Sequence, residues 1–468
     1  MTSLLTRRRL FCSLAAVALL AAGSNTTGRA ALPENYFVLQ WNRIAEDIVT
    51  IPPAGSTLKT YQNEGLIYMA YLSAAIYDAV TVIDGRYEPY DLQGDACAAP
   101  GHSRGHRQSA SPIDVLPGAS ADAAVVEAAY RTLLHYFPSD AATLNARYAE
   151  SLAAIEDSPS SRQDGIAVGA AVATQLICLR AGDHLPPLTQ TSSFELREAG
   201  PGVWRLTPPY AAPQTPWVGS VEPFILNNIN QFHPALPPPL RSTPWVAQYN
   251  EVKDYGSLAN ASGLRTLEQT ATATFWTANV IRQYNRLGRE LATQRGLDRV
   301  ETARLLAMIN IIGADAQIAV MHWKYHFLFW RPVTAIDPCS VTNDGFGSAS
   351  CDPSNLDSDL NPATVEEVGW RPLIPTPNHP EYPGAHGSIT GAIMEVLTEV
   401  FGTQLEMDIH GSPGDTVRHF GSAEEIVDQV IDARVWAGLH YRGSSEAGVR
   451  LGQKVAHFDL HHAFQPMH

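Results

Sequence analysis

Lysine is scarce in this sequence, with four among 468 residues (Lys59, Lys253, Lys324 and Lys454), and the 32 basic residues face 47 acidic ones. The resulting formal charge of −15 excludes nonspecific nucleic-acid binding, which needs a basic footprint. Cysteine is sparse as well: five residues, with no CxxC and no Cys/His zinc spacing, which argues against thiol redox chemistry and structural zinc. No fixed-period repeat occurs, so a solenoid is not expected. What is present is 45% hydrophobic content, ample at this length for a sizeable core and too much for a disordered chain.

The first 30 residues read as an export signal. Arg7, Arg8 and Arg9 precede a small and apolar run to Gly23, and no acid occurs before Glu34. The adjacent arginines suggest the twin-arginine route and hence a periplasmic or secreted protein. A short membrane anchor is the other reading, but the 14 residues Leu10–Gly23 fall short of the roughly 20 needed to span. Without residues 1–30, four arginines and no acids are lost and the charge becomes −19. Export makes a disulfide between Cys339 and Cys351 plausible across their polar loop, with Cys97 and Cys178 either thiols or a second bridge.

Helical periodicity dominates the rest of the chain, in an N-terminal region of 31–265 and a C-terminal region of 266–468. Helices are expected over 64–82, from Ser120 to Phe137, from Ser139 to Ile155, over 161–179, 267–294 and 300–330. Between Pro186 and Pro244 lie 13 of the 33 prolines, too many for helix or central strand. A linker is one reading; Trp204, Tyr210, Trp217, Phe224 and Phe232 favour an ordered wrap over the core. Arg304 to Lys324 encloses 19 residues with a single charge, Asp315, long enough to span a membrane. Asn310, Asp315, Gln317 and His322 favour a buried core helix instead, so no transmembrane helix is expected in the mature chain.

Three polar clusters interrupt the apolar segments. Lys324 and Arg331 are seven residues apart, about two helical turns, so both project from one face of a helix that Pro332 ends. Two buried cations are costly unless they share an anion; alternatively they snorkel at a helix end. Next, Pro383-Gly384-Ala385-His386-Gly387-Ser388 leads into a helix to Phe401, and its N-terminus offers free N–H groups to an oxyanion beside His386. Finally, Arg434 lies on the buried side of a helix that Ser422 and Glu425 begin as a capping box, where it binds an anion or an ordinary carboxylate. On a continuous helix His440 would lie about 240° away from Arg434; a break at Gly438 brings them together. Cations, imidazoles and a helix N-terminus suit a compact oxyanion better than a metal cation, for which no carboxylate set is evident.

These residues resemble the superfamily joining vanadium-dependent haloperoxidases to type 2 phosphatidic acid phosphatases and bacterial acid phosphatases. Its signature is K-x6-R-P, then P-S-G-H, then S-R-x5-H-x3-D. Lys324, Arg331 and Pro332 match the first piece, Pro383 and His386 the second, and Arg434 and His440 the third. Gly384, Ala385, Ala433 and Ser444 depart from the pattern, the last removing a carboxylate for which Glu446 is a candidate substitute. The resemblance implies an all-α fold of helical bundles. It implies that Lys324, Arg331, Arg434 and the N–H groups of Gly384 and Ala385 bind vanadate or phosphate, with Ser388 a candidate replacement for the missing serine. His440 would be the axial vanadium ligand, His386 the acid–base residue, Lys324 the group polarising bound peroxide, and His379 a halide-site residue favouring bromide. The expected function is oxidation of halide by hydrogen peroxide with vanadate as cofactor. The alternatives are a phosphomonoesterase passing through phosphohistidine at His440, or a fold whose chemistry has decayed. The acceptor and any homo-oligomer stay open.

Overall fold

In a computed structural model of the protein, described residues run from 32 to 467, apart from 91–112, 189–193, 342–358 and positions 53, 55, 57, 114, 184, 199, 208, 209, 211 and 360. The expected export signal at 1–30, Cys97 and Cys351 lie outside them. Cys178 and Cys339 are each disulfide-bonded.

The expected all-α architecture holds, with thirteen α-helices among the described residues. In chain order they are α1 Tyr36–Thr50, α2 Gln62–Asp84, α3 Ala121–Tyr136, α4 Ala141–Ala154, α5 Pro159–Leu179, α6 Thr243–Gly256, α7 Leu267–Phe275, α8 Val280–Gln294, α9 Arg299–Phe327 and α10 Pro332–Ile336. After α11 Ala385–Phe401 comes an antiparallel hairpin of β1 Gln404–Gly411 and β2 Thr416–Ser422, then α12 Ala423–Trp436 and α13 Arg442–His462. Residues 34–468 make one unit.

Local chemistry explains the boundaries. Ser120 Oγ accepts the Ala123 N–H at 3.1 Å, and Asp298 forms a capping box with Glu301 at the start of α9. The single helix expected over 267–294 is two, because the chain leaves α7 at Trp276 and Asn279 caps a new start by accepting from Ile281 N–H at 2.9 Å. Pro244 belongs to the first turn of α6, where a missing N–H costs nothing, so helices resume well before 267. The hairpin is the one sheet among the described residues. Leu405, Met407 and Ile409 alternate with more exposed positions, a period of two.

Among the described residues, three helices are long and apolar enough to cross a membrane: Gln62–Asp84, Pro159–Asp183 and Arg299–Phe327. The most apolar window of the last is 94% buried within the protein, which accounts for its composition as a core helix. Asn42, Asn285, Asn310 and Ser73 bond side chain to side chain at 2.7–3.0 Å, tying α1, α8, α9 and α2 together. The proline-rich wrap docks onto α9 through Asp315, whose carboxylate accepts the N–H groups of Phe224, Ile225 and Leu226 at 2.6, 2.7 and 3.1 Å. Trp204 N–H donates to Leu328 O at 2.7 Å and Trp330 N–H to Gly202 O at 3.1 Å, so the wrap also braces the segment leading to Arg331.

The closest helix pair is α11 against α13. Gly384, Gly387 and Gly391 face Ser445 and Val449, while Gly448 and Gly452 face the carbonyls of Gly384 and Ser388. A Cβ on Gly452 would overlap the Ser388 carbonyl oxygen, so this backbone contact requires glycine. Gly452→Ala is expected to destabilise the protein by about 1–3 kcal/mol, the usual cost of overpacking, read as a lowered midpoint in chemical denaturation.

Candidate functional site

Lys324 sits in the last turn of α9 and is fully buried. The helix does not continue to Arg331. Leu328, at φ 51°, turns the chain, and Arg331 becomes the N-cap residue of α10, with Pro332 starting a helix rather than ending one. The two cations still converge because the Leu328–Trp330 segment folds Arg331 back inside. Lys324 Nζ donates to the carbonyls of Pro380 and Glu381 at 2.9 and 2.7 Å. Arg331 donates through Nε to His379 O at 3.0 Å and through Nη1 to Leu439 O at 2.9 Å.

Arg434 arrives on α12, and the expected break comes just after it. Gly438, at φ 75°, reverses the chain against Gly256 and Pro372, where a side chain would clash. Leu439 and His440 then both return their N–H groups to Arg434 O. His440 is buried, with Nδ1 2.8 Å from Glu381 Oε1 and Nε2 3.1 Å from Arg331 Nη1. Since the guanidinium can only donate, Nε2 carries the lone pair and Nδ1 the proton given to Glu381. Burial, then Arg331, Lys324 and Arg434, hold the His440 pKa well below its ordinary value, so the pair is a hydrogen bond donated by a neutral imidazole to Glu381.

Glu381 is the residue that motif reasoning missed. It is fully buried, its Oε1 also accepts Tyr441 N–H at 3.1 Å, and burial pushes its pKa up to about 7 against the opposing pull of Lys324 and Arg331. Glu446 does not fill the place of the absent motif carboxylate: it pairs with Arg450 at 3.6 Å on the exposed side of α13. Ser444 at the motif position instead donates Oγ–H to Glu381 O at 3.3 Å. A glutamate two residues before the Pro383 motif was the available signal.

His386 lies in the first turn of α11, and its pKa is held well below the ordinary value by burial, then Arg434, Lys324 and Arg331. Of the two backbone donors expected there, Gly384 N–H is committed to Ser444 O at 2.8 Å, which removes it from the donor set. Ala385, His386 and Gly387 occupy the first three helical positions, whose N–H groups have no intrahelical acceptor. Ser388 does not replace the missing motif serine, because its Oγ–H goes to Ala316 O at 3.3 Å. His379 is brought in too: its Nδ1 is 3.0 Å from Arg331 Nη2.

Burial, then Arg331, pulls the Lys324 pKa well below its ordinary value, and the two guanidinium groups carry the firmest positive charge. Burial, then Arg331, lowers Arg434 to about 9, and burial lowers Arg331 to about 10, so both stay charged at neutral pH. Arg434 Nε is buried without an acceptor, and its Nη1 reaches only Trp276 O at 3.4 Å. A buried guanidinium N–H left unpaired costs on the order of 1–3 kcal/mol or more, which an oxyanion would recover. No group of three or more His, Cys, Asp or Glu able to hold a metal cation is found among the described residues.

Residues 304–468 match the family model of the VCPO second helical-bundle domain. Vanadium chloroperoxidase of Curvularia inaequalis is 23% identical over 273 residues, covering 46% of this chain and 43% of that protein, so the match spans less than half of the relative's length. A bacterial vanadium-dependent iodoperoxidase superposes with a TM-score of 0.69 at 21% identity, covering 93% of this chain and 97% of that one. A bacterial vanadium-dependent chloroperoxidase in its holo form gives 0.64 at 14% identity, covering 93% and 99%. The resemblance drawn from the three motifs therefore holds, and the fold is that of these haloperoxidases.

Because positive charge depresses the His386 pKa, removing that charge must raise it. Arg434→Gln is expected to move the His386 titration upward, and inorganic phosphate added to the unaltered protein to do the same, tracked by NMR of the imidazole C–H signals. An unmoved titration in both would place His386 outside the field of these cations.

Proposed function

We propose that this chain, built on the haloperoxidase fold with a VCPO second helical-bundle domain at 304–468, is a vanadate-dependent peroxidase that oxidises halide with hydrogen peroxide. The observation that carries the reading is His440: a neutral imidazole whose Nδ1–H is held by Glu381 and whose Nε2 lone pair, facing Arg331 Nη1 at 3.1 Å, lies among Lys324, Arg331 and Arg434. A nitrogen ligand needs that lone pair, and a tetrahedral oxyanion needs those cations.

The residues present fit vanadate. The orphaned Arg434 Nε, together with Lys324, Arg331 and the N–H groups of Ala385, His386 and Gly387, would hold its oxygens, and His440 Nε2 would be its nitrogen ligand. When bound, vanadate supplies an electrophilic centre at which peroxide becomes a two-electron oxidant of halide. The chain's own part is positional and electrostatic. Glu381 keeps the His440 ring in one tautomer and orientation. Burial in the helical core limits water around the three cations and strengthens their hold on an anion. His386, neutral and near the α11 N-terminus, is placed to accept a proton at its imidazole nitrogen and return it to a departing oxygen. Bromide is the halide we assign, on His379 beside Arg331. We also place the protein outside the cytoplasm, a reading supported by the signal-like residues 1–30 and the disulfides at Cys178 and Cys339.

Purified protein is expected to brominate an organic acceptor with peroxide only when vanadate is added, and His440→Ala to lose that activity. Activity without vanadium in excess phosphate would overturn the reading. Hydrolysis of phosphate esters with a trapped phosphohistidine at His440 would assign the pocket to phosphoryl transfer instead. Glu381→Gln separates covalent ligation from simple anion binding. Loss of the carboxylate lowers ligand basicity and is expected to weaken vanadate binding roughly 10–100-fold. Removing a negative charge leaves inorganic phosphate binding unchanged or tighter, both read by calorimetry.

A further inference from the structure

The oxyanion pocket uses His379, His386 and His440, but the densest group of histidines lies elsewhere. The outer face of α13 lines a cleft of about 780 Å³ together with Phe232 and with Glu395 of α11. Glu395 is nine residues beyond His386, about 14 Å further along α11 at 1.5 Å per residue, so this cleft is separate from the pocket. His457 and His461 face it at a spacing of four residues, with ring centroids 4.4 Å apart and planes inclined at 68°.

Both rings are exposed, and neither takes part in a hydrogen bond or ion pair among the described residues. They are unlike His462, whose Nδ1 is committed to Phe458 O at 2.7 Å, and unlike His419, held by Glu406 and Asp408 on the hairpin. Two imidazoles four apart on one helical face form a chelate, because ring rotation brings one nitrogen of each to a shared point. Tetrahedral coordination at about 2.0–2.1 Å needs the two nitrogens about 3.3 Å apart, within reach of rings this close.

We propose that His457 and His461 bind one late first-row divalent cation, of the Zn²⁺, Ni²⁺ or Cu²⁺ class. Imidazole nitrogen favours these ions, whereas Mg²⁺ and Ca²⁺ require oxygen sets. No third His, Cys, Asp or Glu completes a metal-holding group among the described residues, so water fills the other positions. Lys454, one turn earlier on the same face, opposes the cation, and Glu395 across the cleft offsets that charge. Arg450 is paired with Glu446 and contributes less. A two-imidazole site in this setting binds in the micromolar range or weaker, and it discriminates among ions by softness rather than size.

The experiment is a calorimetric titration of Zn²⁺ into the full chain, prepared without any added polyhistidine and stripped with chelator. One equivalent is expected to bind, with His457→Ala and His461→Ala each abolishing that binding and His462→Ala and His419→Ala retaining it. Circular dichroism checks that the variants fold; both positions are exposed, so folding is expected to survive. The electron paramagnetic resonance spectrum of the protein with one equivalent of Cu²⁺ should show two equatorial nitrogens, reduced to one in either single variant. Absence of binding in the unaltered chain, persistence of the same equivalent in a His457→Ala/His461→Ala variant, or a single-nitrogen copper spectrum would each overturn the assignment.

Discussion

Three basic side chains buried in one place constrain this molecule more than any other feature. Lys324, Arg331 and Arg434 have almost no exposure, and removing a charge from water costs several kcal/mol even after relaxation. The chain meets that cost with carbonyls: Pro380 and Glu381 for Lys324, His379 and Leu439 for Arg331. These acceptors all come from irregular backbone, so the segments 377–384 and 437–441 are pinned by the basic side chains although neither is helix or strand. Glu381 adds the carboxylate facing His440, and the orphaned Nε of Arg434 marks where the protein's own acceptors stop.

The glycine seam between α11 and α13 is what brings the parts into register. Backbones in contact at Gly448 and Gly452 set the depth at which the α11 N-terminus meets the loop carrying His440. The same seam places Ser444 O against Gly384 N–H, giving up one possible anion donor to lock the helix start. On the other side, the proline-rich wrap covers the end of α9, held by the carboxylate of Asp315 and by strand-like pairing at Val203 and Phe329. Fold and pocket are thus stabilised by the same contacts, and a change in helix packing acts directly on the geometry around His386 and His440.

Much of this was legible from residue order. Long apolar segments with cap residues at Ser120 and Ser422 marked the helices, because capping and periodicity are local properties. Lys324, Arg331, His386, Arg434 and His440 were legible because a cation or imidazole inside an apolar run has to be explained. Helix α1, helix α6 and the hairpin were not. The hairpin alternates with period two over only a few residues, and α6 begins at a proline that reads as the end of the wrap.

By itself the sequence determined the residue types of the site and the helical class, and it marked Gly438 as the place where a break would bring Arg434 and His440 together, since each arises from side-chain chemistry or backbone sterics within a few positions. Only the tertiary structure decided that Arg331 turns inward from a second helix start, that Gly384 N–H and Ser388 Oγ–H are used within the protein, and that Glu381 rather than Glu446 reaches His440. Those outcomes depend on which carbonyl or carboxylate lies within about 3 Å of a buried donor. That is a property of packed elements distant in the chain, and no local spacing encodes it.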